Sequence, residues 1–216
     1  ALLREYPGEY VVESFNPLAL RWFKDSVCGQ EKDGDYFDVL NNAAKDVPAG
    51  SDGVLFLPYL TGGTNDVKEA TGCFLNMTLD TDQATLWHAV LEAIGYDYME
   101  ITDLYRGAGV DMSRITITEG GSRSEIWNQM KSDMLGSEVI TLKNAGGAVV
   151  TDCIVGAYAL GHITDMKAAL TESLEIKKLY YTNAENHDFY AKQYALQKKL
   201  VKQDMKEAFH TLKALH

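Results

Sequence analysis

The sequence contains few cysteines and no long apolar run. Its three cysteines, Cys28, Cys73 and Cys153, are far apart and form no CxxC pair, so neither a disulfide framework nor a zinc site is indicated. The 216 residues contain no stretch of 18 apolar residues and no charged-then-apolar leader, so we predict neither a membrane span nor secretion. We therefore expect a cytoplasmic protein with reduced thiols.

Positive charge is also scarce. The chain has 20 Lys and Arg against 31 Asp and Glu, a formal charge of −11. Nucleic acids and anionic membranes favour basic surfaces, so we expect neither as a partner. Residues 177–216 are the exception, because eight Lys and four acidic residues give them a local charge of +4 and leave −15 for residues 1–176. The first residue is Ala1 and not Met, which we interpret as the start of a fragment.

The order of the apolar segments predicts an α/β fold. Apolar or alternating runs typical of strands occur at residues 10–12, 53–57, 72–79, 114–118 and 139–142. Helical patterns separate the last three of these runs. Strands that alternate with helices in this way favour a sheet that is at least partly parallel.

Two of the predicted helices are expected to bury apolar surface in the core. The first starts after Asp80 or Thr81, either of which can cap it, and stops near Gly107. Its apolar face, spaced by three and four residues, consists of Trp87, Val90, Ile94, Tyr98, Ile101 and Tyr105. The second helix covers residues 148–160, where Asp152 is the one formal charge. We expect it to be buried on most sides.

The last 40 residues, 177–216, are predicted to form a terminal strand and an amphipathic helix that pack on the domain formed by residues 1–176. The apolar side of the helix consists of Tyr190, Tyr194, Gln197, Val201, Met205 and Leu212. The lysines of the opposite side are interpreted as a solvated face, with a basic docking surface as the other reading.

The most informative segment for function is the strand–glycine–helix sequence at residues 114–127. Gly120 and Gly121 follow the strand, and Ser122 with Glu125 forms a capping box that starts the next helix. Glycine lacks a Cβ, so this backbone can adopt positive φ and let a ligand approach closely. A helix start also attracts phosphate. Packing alone remains an alternative reason for the two glycines.

A second glycine pair, Gly146 and Gly147, precedes the following helix. Both turns are expected at the same edge of the sheet, where open α/β sheets bind their ligands. A P-loop, GxGxxG and GxSxG are all absent from the sequence.

These residues resemble the C-terminal domain of the FGGY carbohydrate kinases, most closely the xylulokinase-like branch. The resemblance runs from about Ser14 to Asp165, through residues 20–25, 56–62, 89–92, 118–127, 133–136 and 146–148. It implies a ribonuclease H-like domain of the sugar kinase, Hsp70 and actin type, in which helices flank a mixed sheet.

The resemblance also implies ATP and Mg²⁺ as cofactors. It assigns nucleotide binding to seven positions of this sequence, namely Gly120, Gly121, Ser122, Ser124, Glu125, Pro17 and Arg21. Because the Glu125 carboxylate would repel a phosphate, we expect the phosphates near Gly120 and Gly121 and the adenosine beyond Ser122.

In this family the catalytic aspartate and most sugar contacts belong to an N-terminal domain whose segments do not occur here, so no catalytic residue and no metal ligand is assigned to this chain. The resemblance therefore predicts the ATP-binding half of a sugar kinase, inactive by itself. It would serve the transfer of the γ-phosphoryl group of Mg·ATP to a sugar, with a pentulose such as xylulose favoured.

Departures from the family pattern keep a second hypothesis open. Asn76 stands where the family has Gly, Thr85 where it has His, an acid or an amide, and Glu125 where glycerol-kinase relatives have Asn. The second hypothesis is a non-catalytic domain of the same fold that acts as an interaction or dimerisation module, in which case a homodimer is expected.

Overall fold

The computed structural model describes residues 4–6, 9–11, 17–31, 33–63, 67–118, 120–143 and 147–214. The helices and strands in this part of the chain are, in order, β1 Arg4–Tyr6, β2 Glu9–Val11, α1 Pro17–Trp22, α2 Tyr36–Ala44, β3 Leu55–Leu57, β4 Cys73–Leu75, α3 Gln83–Gly107, β5 Arg114–Ile117, α4 Glu125–Leu135, β6 Glu138–Leu142, α5 Gly147–Ala159, α6 Met166–Ser173, β7 Ile176–Tyr180, α7 Ala184–Lys199 and α8 Lys206–Lys213.

The sheet beside the glycine turn is mixed. β5 runs parallel to β6, with Ile115 opposite Val139, and β6 runs antiparallel to β7, with Ile140 opposite Leu179. α4 connects β5 to β6 and packs on β6 and β7. The other described strands form two antiparallel two-stranded sheets, β1–β2 and β3–β4. The predicted α/β class, a mixed sheet flanked by helices, is confirmed.

Two departures from the family pattern fit the backbone. Asn76 follows β4 with a φ of 61°, in the left-handed region that glycine and asparagine enter most easily, and its Nδ2 donates to the Gly53 carbonyl at 3.1 Å. Thr85 lies in the first turn of α3, where its N–H donates to Asp82 Oδ1 at 2.8 Å. Asp82 is thus the N-cap, one or two residues after the predicted caps. Neither departure disturbs the fold.

α3 forms the centre of the core. Residues 87–96 are all buried, because α2, β3 and α4 pack around this half of the helix. The predicted apolar face is buried at Trp87, Val90, Ile94 and Tyr105, whereas Tyr98 and Ile101 are only partly buried. The helix therefore buries more than one face, and residues 87–96 include two buried polar side chains, His88 and Glu92, that the periodicity does not explain.

One of these polar side chains, Glu92, is held by three donors. It is 1% exposed and accepts hydrogen bonds from the Gly50 N–H at 2.7 Å, the Ser51 hydroxyl at 2.8 Å and the Tyr190 hydroxyl at 2.9 Å. Gly50 and Ser51 have φ values of 90° and 50°, a left-handed turn that presents two consecutive donors to one carboxylate. Burial raises the pKa of Glu92 to about 7.

The other buried polar side chain, His88, contacts both Ser51 and Glu92. Its Nδ1 lies 2.8 Å from the Ser51 hydroxyl and 3.4 Å from Glu92 Oε1. Burial disfavours the imidazolium and lowers the pKa of His88 to about 4.

α5 is exposed, so the prediction of a buried helix at residues 148–160 is wrong. Val149, Val155, Tyr158 and Leu160 expose 67%, 46%, 48% and 75% of their surface. Among the described elements, α6 is its main packing partner. Apolar composition predicts the helix but does not say which element covers it. No described helix combines the length and apolarity needed to cross a membrane.

The terminal segment packs on the sheet and on α4. β7 extends the sheet next to β6, and α7 begins where the buried carboxylate of Asp133 accepts the Asn183 N–H at 2.8 Å. The terminal helix is not continuous, because a π turn at Leu200–Asp204 separates α7 from α8. Phe209 is buried beyond this interruption and Leu212 is 49% exposed, so the predicted burial of Leu212 is wrong.

Candidate functional site

The two glycines lie in a short turn between β5 and α4. Gly120–Ser122 form one turn of 3₁₀ helix, and α4 starts at Glu125. Its N-cap is Ser124, whose hydroxyl accepts the Trp127 N–H at 3.3 Å. The predicted capping box is therefore wrong: the 3₁₀ turn includes Ser122, so Ser124 caps the helix and Glu125 becomes its first residue.

Neither glycine is required by the backbone. Gly120 and Gly121 are not among the residues with positive φ, so that expectation is also wrong. A Cβ on Gly120 would meet no atom within 4 Å, and one on Gly121 would lie 3.5 Å from the Trp127 ring, an ordinary contact. Packing among the described residues therefore does not explain the glycine pair, and Gly120 is exposed to solvent.

Two side chains of α4 hold the turn from behind. Asn128 is fully buried and donates from Nδ2 to the Ser122 carbonyl at 2.8 Å, and Lys131, 2% exposed, donates from Nζ to the Gly121 carbonyl at 3.1 Å. Sequence reasoning missed both. The available signal was the spacing of Trp127 and Lys131, an aromatic ring and a cation four residues apart on one helix.

The Lys131 ammonium has little solvation. Its Nζ lies 3.6 Å from the centroid of the Trp127 ring, and no carboxylate of the described residues lies within ion-pair distance of it. Burial without a counter-ion disfavours the charged form and lowers the pKa of Lys131 to about 7. Both protonation states are therefore populated near neutral pH.

Glu125 is exposed and points its charge toward β7. Its Oε2 accepts a hydrogen bond from Lys178 Nζ at 2.8 Å, and this hydrogen bond and the charge of Lys178 lower the pKa of Glu125. The carboxylate that would repel a phosphate therefore has a cation beside it.

A cleft of about 570 Å³ lies along another face of α4. Glu125, Gln129 and Asp133 line it at four-residue spacing, together with residues of β7 and α7. Asn128 and Lys131 lie on a different side of the helix. The cleft and the glycine turn thus lie on different sides of α4 and meet at Glu125.

The turn brings together five of the seven predicted nucleotide-binding residues, those between Gly120 and Glu125. Pro17 begins α1, and Arg21 is exposed near its end. Apart from the π turn Phe23–Val27 that continues it, α1 packs on α3, and its Trp22 stacks on Phe56 with the ring centroids 5.9 Å apart. The described contacts therefore do not connect Arg21 to the turn, and the side chain of Pro17 lies outside what the structure describes.

Two residues of the predicted glycine motifs, Glu119 and Gly146, lie outside the described residues. Gly147 is the first residue of α5. In the described part of the chain, no group of three or more His, Cys, Asp or Glu side chains is arranged to hold a metal ion. An Mg²⁺ ion is therefore not assigned to these side chains.

Comparisons with a family model and with known proteins all lead to carbohydrate kinases. Residues 6–160 match the model of the FGGY family of carbohydrate kinases, C-terminal domain. A xylulose kinase from Staphylococcus epidermidis is 28% identical over 187 residues, which cover 86% of this chain and 37% of that protein. A gluconokinase from Bacillus subtilis is 32% identical over 163 residues, which cover 70% of this chain and 31% of that protein.

The fold leads to the same family. The crystal structure of xylulose kinase from Rhodospirillum rubrum superposes with a TM-score of 0.71 at 25% identity, covering 89% of this chain and 38% of that one. The predicted ribonuclease H-like fold is thereby confirmed. The chain spans about a third of the length of these relatives. Because the family match covers more than half of its residues, the chain belongs to the FGGY family of carbohydrate kinases and corresponds to the C-terminal domain.

Proposed function

We propose that this chain is the ATP-binding half of a carbohydrate kinase. The whole enzyme transfers the γ-phosphoryl group of Mg·ATP to a sugar hydroxyl, with a pentulose such as xylulose as the favoured substrate. Family membership supports the reaction class. The xylulose kinases among the relatives in sequence and in fold support the pentulose.

The observation that carries this proposal is the glycine turn before α4. Gly120 and Gly121 have no backbone or packing requirement for glycine among the described residues. A ligand that approaches the backbone closely supplies the missing reason. Phosphate suits the turn, because the Lys131 ammonium lies behind it. The start of α4 at Glu125, which carries a partial positive charge, follows the turn directly in the chain.

Phosphoryl transfer depends on positioning and on charge stabilisation, and the share of this chain is to bind and orient the nucleotide. Mg²⁺ arrives with ATP and supplies charge neutralisation of the phosphates. The sugar contacts and the catalytic base belong, in this proposal, to an N-terminal domain. The chain alone is therefore inactive, and the enzyme works in the cytoplasm.

We also propose a division at residue 176. Residues 1–176 form the nucleotide-binding domain, and residues 177–216 form a terminal strand and helix that pack on it. The pairing of β7 with β6 and the contact of Asp133 with the start of α7 support this arrangement. Both contacts tie the terminal segment to the sheet and helix that carry the turn.

Calorimetric titration of the chain with ADP and ATP tests the function. We expect a dissociation constant on the order of 1 mM or tighter, which corresponds to about −4 kcal/mol. Gly120→Val should weaken binding at least tenfold, because its side chain fills the open face of the turn. Gly156→Val in α5 is the matched control, since a Cβ there also meets nothing within 4 Å. Absence of binding, or equal binding by both variants, contradicts the proposal.

The exposed apolar surface of α5 favours the second candidate, an interaction or dimerisation module of the same fold. Val149, Tyr158 and Leu160 expose about half or more of their surface, as expected for an interface. Sedimentation of the chain separates the two. The module is supported if the chain forms a stable dimer, if Val149→Lys dissociates that dimer, and if the chain does not bind ADP. A monomer that binds ADP contradicts the module.

A further inference from the structure

The buried ammonium of Lys131 lies directly behind the glycine turn. Its Nζ is 3.1 Å from the Gly121 carbonyl oxygen, and a Cβ added to Gly121 would lie 3.7 Å from Nζ. The backbone of Gly121, a residue without a side chain, therefore lies between the charge and the side of the turn on which a ligand would bind. At such short range and in a low-dielectric surrounding, this charge acts strongly on an anion at the turn.

The described groups around Lys131 do not neutralise its charge. The turn presents a carbonyl, α4 presents the ring of Trp127, and α3 contributes Tyr98, whose ring centroid lies 6.4 Å from that of Trp127. Asp133, two residues further along α4, directs its carboxylate to Gln129 and to the start of α7. Within the described residues, α7 and β6 provide no ion-pair partner for Lys131. Glu119, just before the turn, lies outside the described residues.

We propose that Lys131 is an electrostatic positioning residue for the nucleotide phosphates, which holds the Gly121 carbonyl inward and takes up a proton from solvent when a phosphate binds at the turn. This inference rests on the proposed function and deepens it. A buried amine whose pKa lies at about 7 is close to its titration point. A bound anion stabilises the ammonium and raises that pKa. The protonated protein therefore binds the nucleotide more tightly, and affinity falls as the pH rises above neutrality.

Proton uptake is measured directly by titrating ADP into the chain at pH 8 in buffers of different ionisation enthalpy. If binding raises the pKa of Lys131 by one unit, the wild type takes up about 0.4 proton per ADP bound. The same shift predicts that Lys131→Met binds ADP about tenfold more weakly than the wild type at pH 6 and about twofold more weakly at pH 8. A merely structural lysine would not give this difference between the two pH values.

The Lys131→Arg variant separates charge from titration. Arginine stays protonated, so this variant should keep tight binding at both pH values and lose the proton uptake, as should the Met variant. Lys192→Met, which removes an exposed cation of α7, should leave the uptake unchanged. Absence of ADP binding by the wild type contradicts the proposed function and this inference together. Binding without proton uptake, or uptake that persists in Lys131→Met, contradicts this inference alone.

Discussion

Replacing either member of the buried His88–Glu92 pair should give the protein a pH dependence of stability between pH 4 and 7 that the two members of the intact pair largely cancel. The two side chains are 4% and 2% exposed, and His88 Nδ1 lies 3.4 Å from Glu92 Oε1. Burial raises the pKa of Glu92 from 4.5 to about 7 and lowers the pKa of His88 from 6.5 to about 4. The two shifts have opposite effects on stability.

Each of these two pKa changes corresponds to about 3 kcal/mol of unfolding free energy. Glu92, with its raised pKa, stabilises the fold fully below pH 4.5, and this contribution is lost as the pH rises to 7. His88, with its lowered pKa, contributes fully above pH 6.5, and this contribution is lost as the pH falls to 4. The intact pair holds one proton across nearly the same pH range in the folded and unfolded states, so its net pH dependence is below about 1 kcal/mol.

Urea denaturation at closely spaced pH values checks this cancellation. Relative to the wild type, the free energy of unfolding of His88→Gln should fall by about 3 kcal/mol between pH 4.5 and 7. That of Glu92→Gln should rise by about 3 kcal/mol between pH 4 and 6.5, from a lower starting value because a buried acceptor is lost. Parallel curves for the wild type and both variants would refute the opposed titrations.

Three further predictions concern packing and the hydrogen bond at the start of α7. Gly136→Ala should lower the free energy of unfolding by about 1–2 kcal/mol, because φ is 59° and the new Cβ would lie 2.7 Å from an imidazole ring of α7. As the matched control, Gly156→Ala in α5, where the new Cβ has free space, should raise the free energy of unfolding by about 0.5–1 kcal/mol. Phe209→Ala should lower it by about 3 kcal/mol and the exposed Leu212→Ala by less than about 0.5 kcal/mol; equal urea midpoints for these two contradict the burial described for α8. Asp133→Ala should accelerate amide hydrogen exchange at the start of α7, whose cap N–H loses its acceptor, and unchanged exchange contradicts this role.

The turn and its flanking elements could be predicted because their signals are local. An alternating strand, two glycines, and a helix that ends at Gly136 with φ 59° follow from side-chain periodicity and glycine geometry. The helix cap could not be predicted, since Ser122 and Ser124 are both good N-caps. The choice between them depends on the 3₁₀ turn, which the sequence does not mark.

Lys131 and α5 show where sequence reasoning stops. A lysine is expected at the surface. The Trp127 ring lies one helical turn from Lys131 on α4, but the Gly121 carbonyl that Lys131 contacts belongs to the turn ten residues earlier and is placed there by the fold. The apolar sequence of α5 predicts a covered helix, but its exposure depends on which elements pack against it. In both cases the burial depends on contacts with residues outside the local sequence pattern on which the prediction was based.

The central claim is that the turn at Gly120 and Gly121 binds the nucleotide phosphates. NMR titration of the isotope-labelled chain with ADP tests it most directly, by following the backbone amide shifts of every residue. The account predicts saturable shifts concentrated at Gly120–Ser122 and the first turn of α4, accompanied by the side-chain resonances of Lys131. Shifts concentrated along the cleft between α4 and α7, or no saturable shift at all, would contradict it.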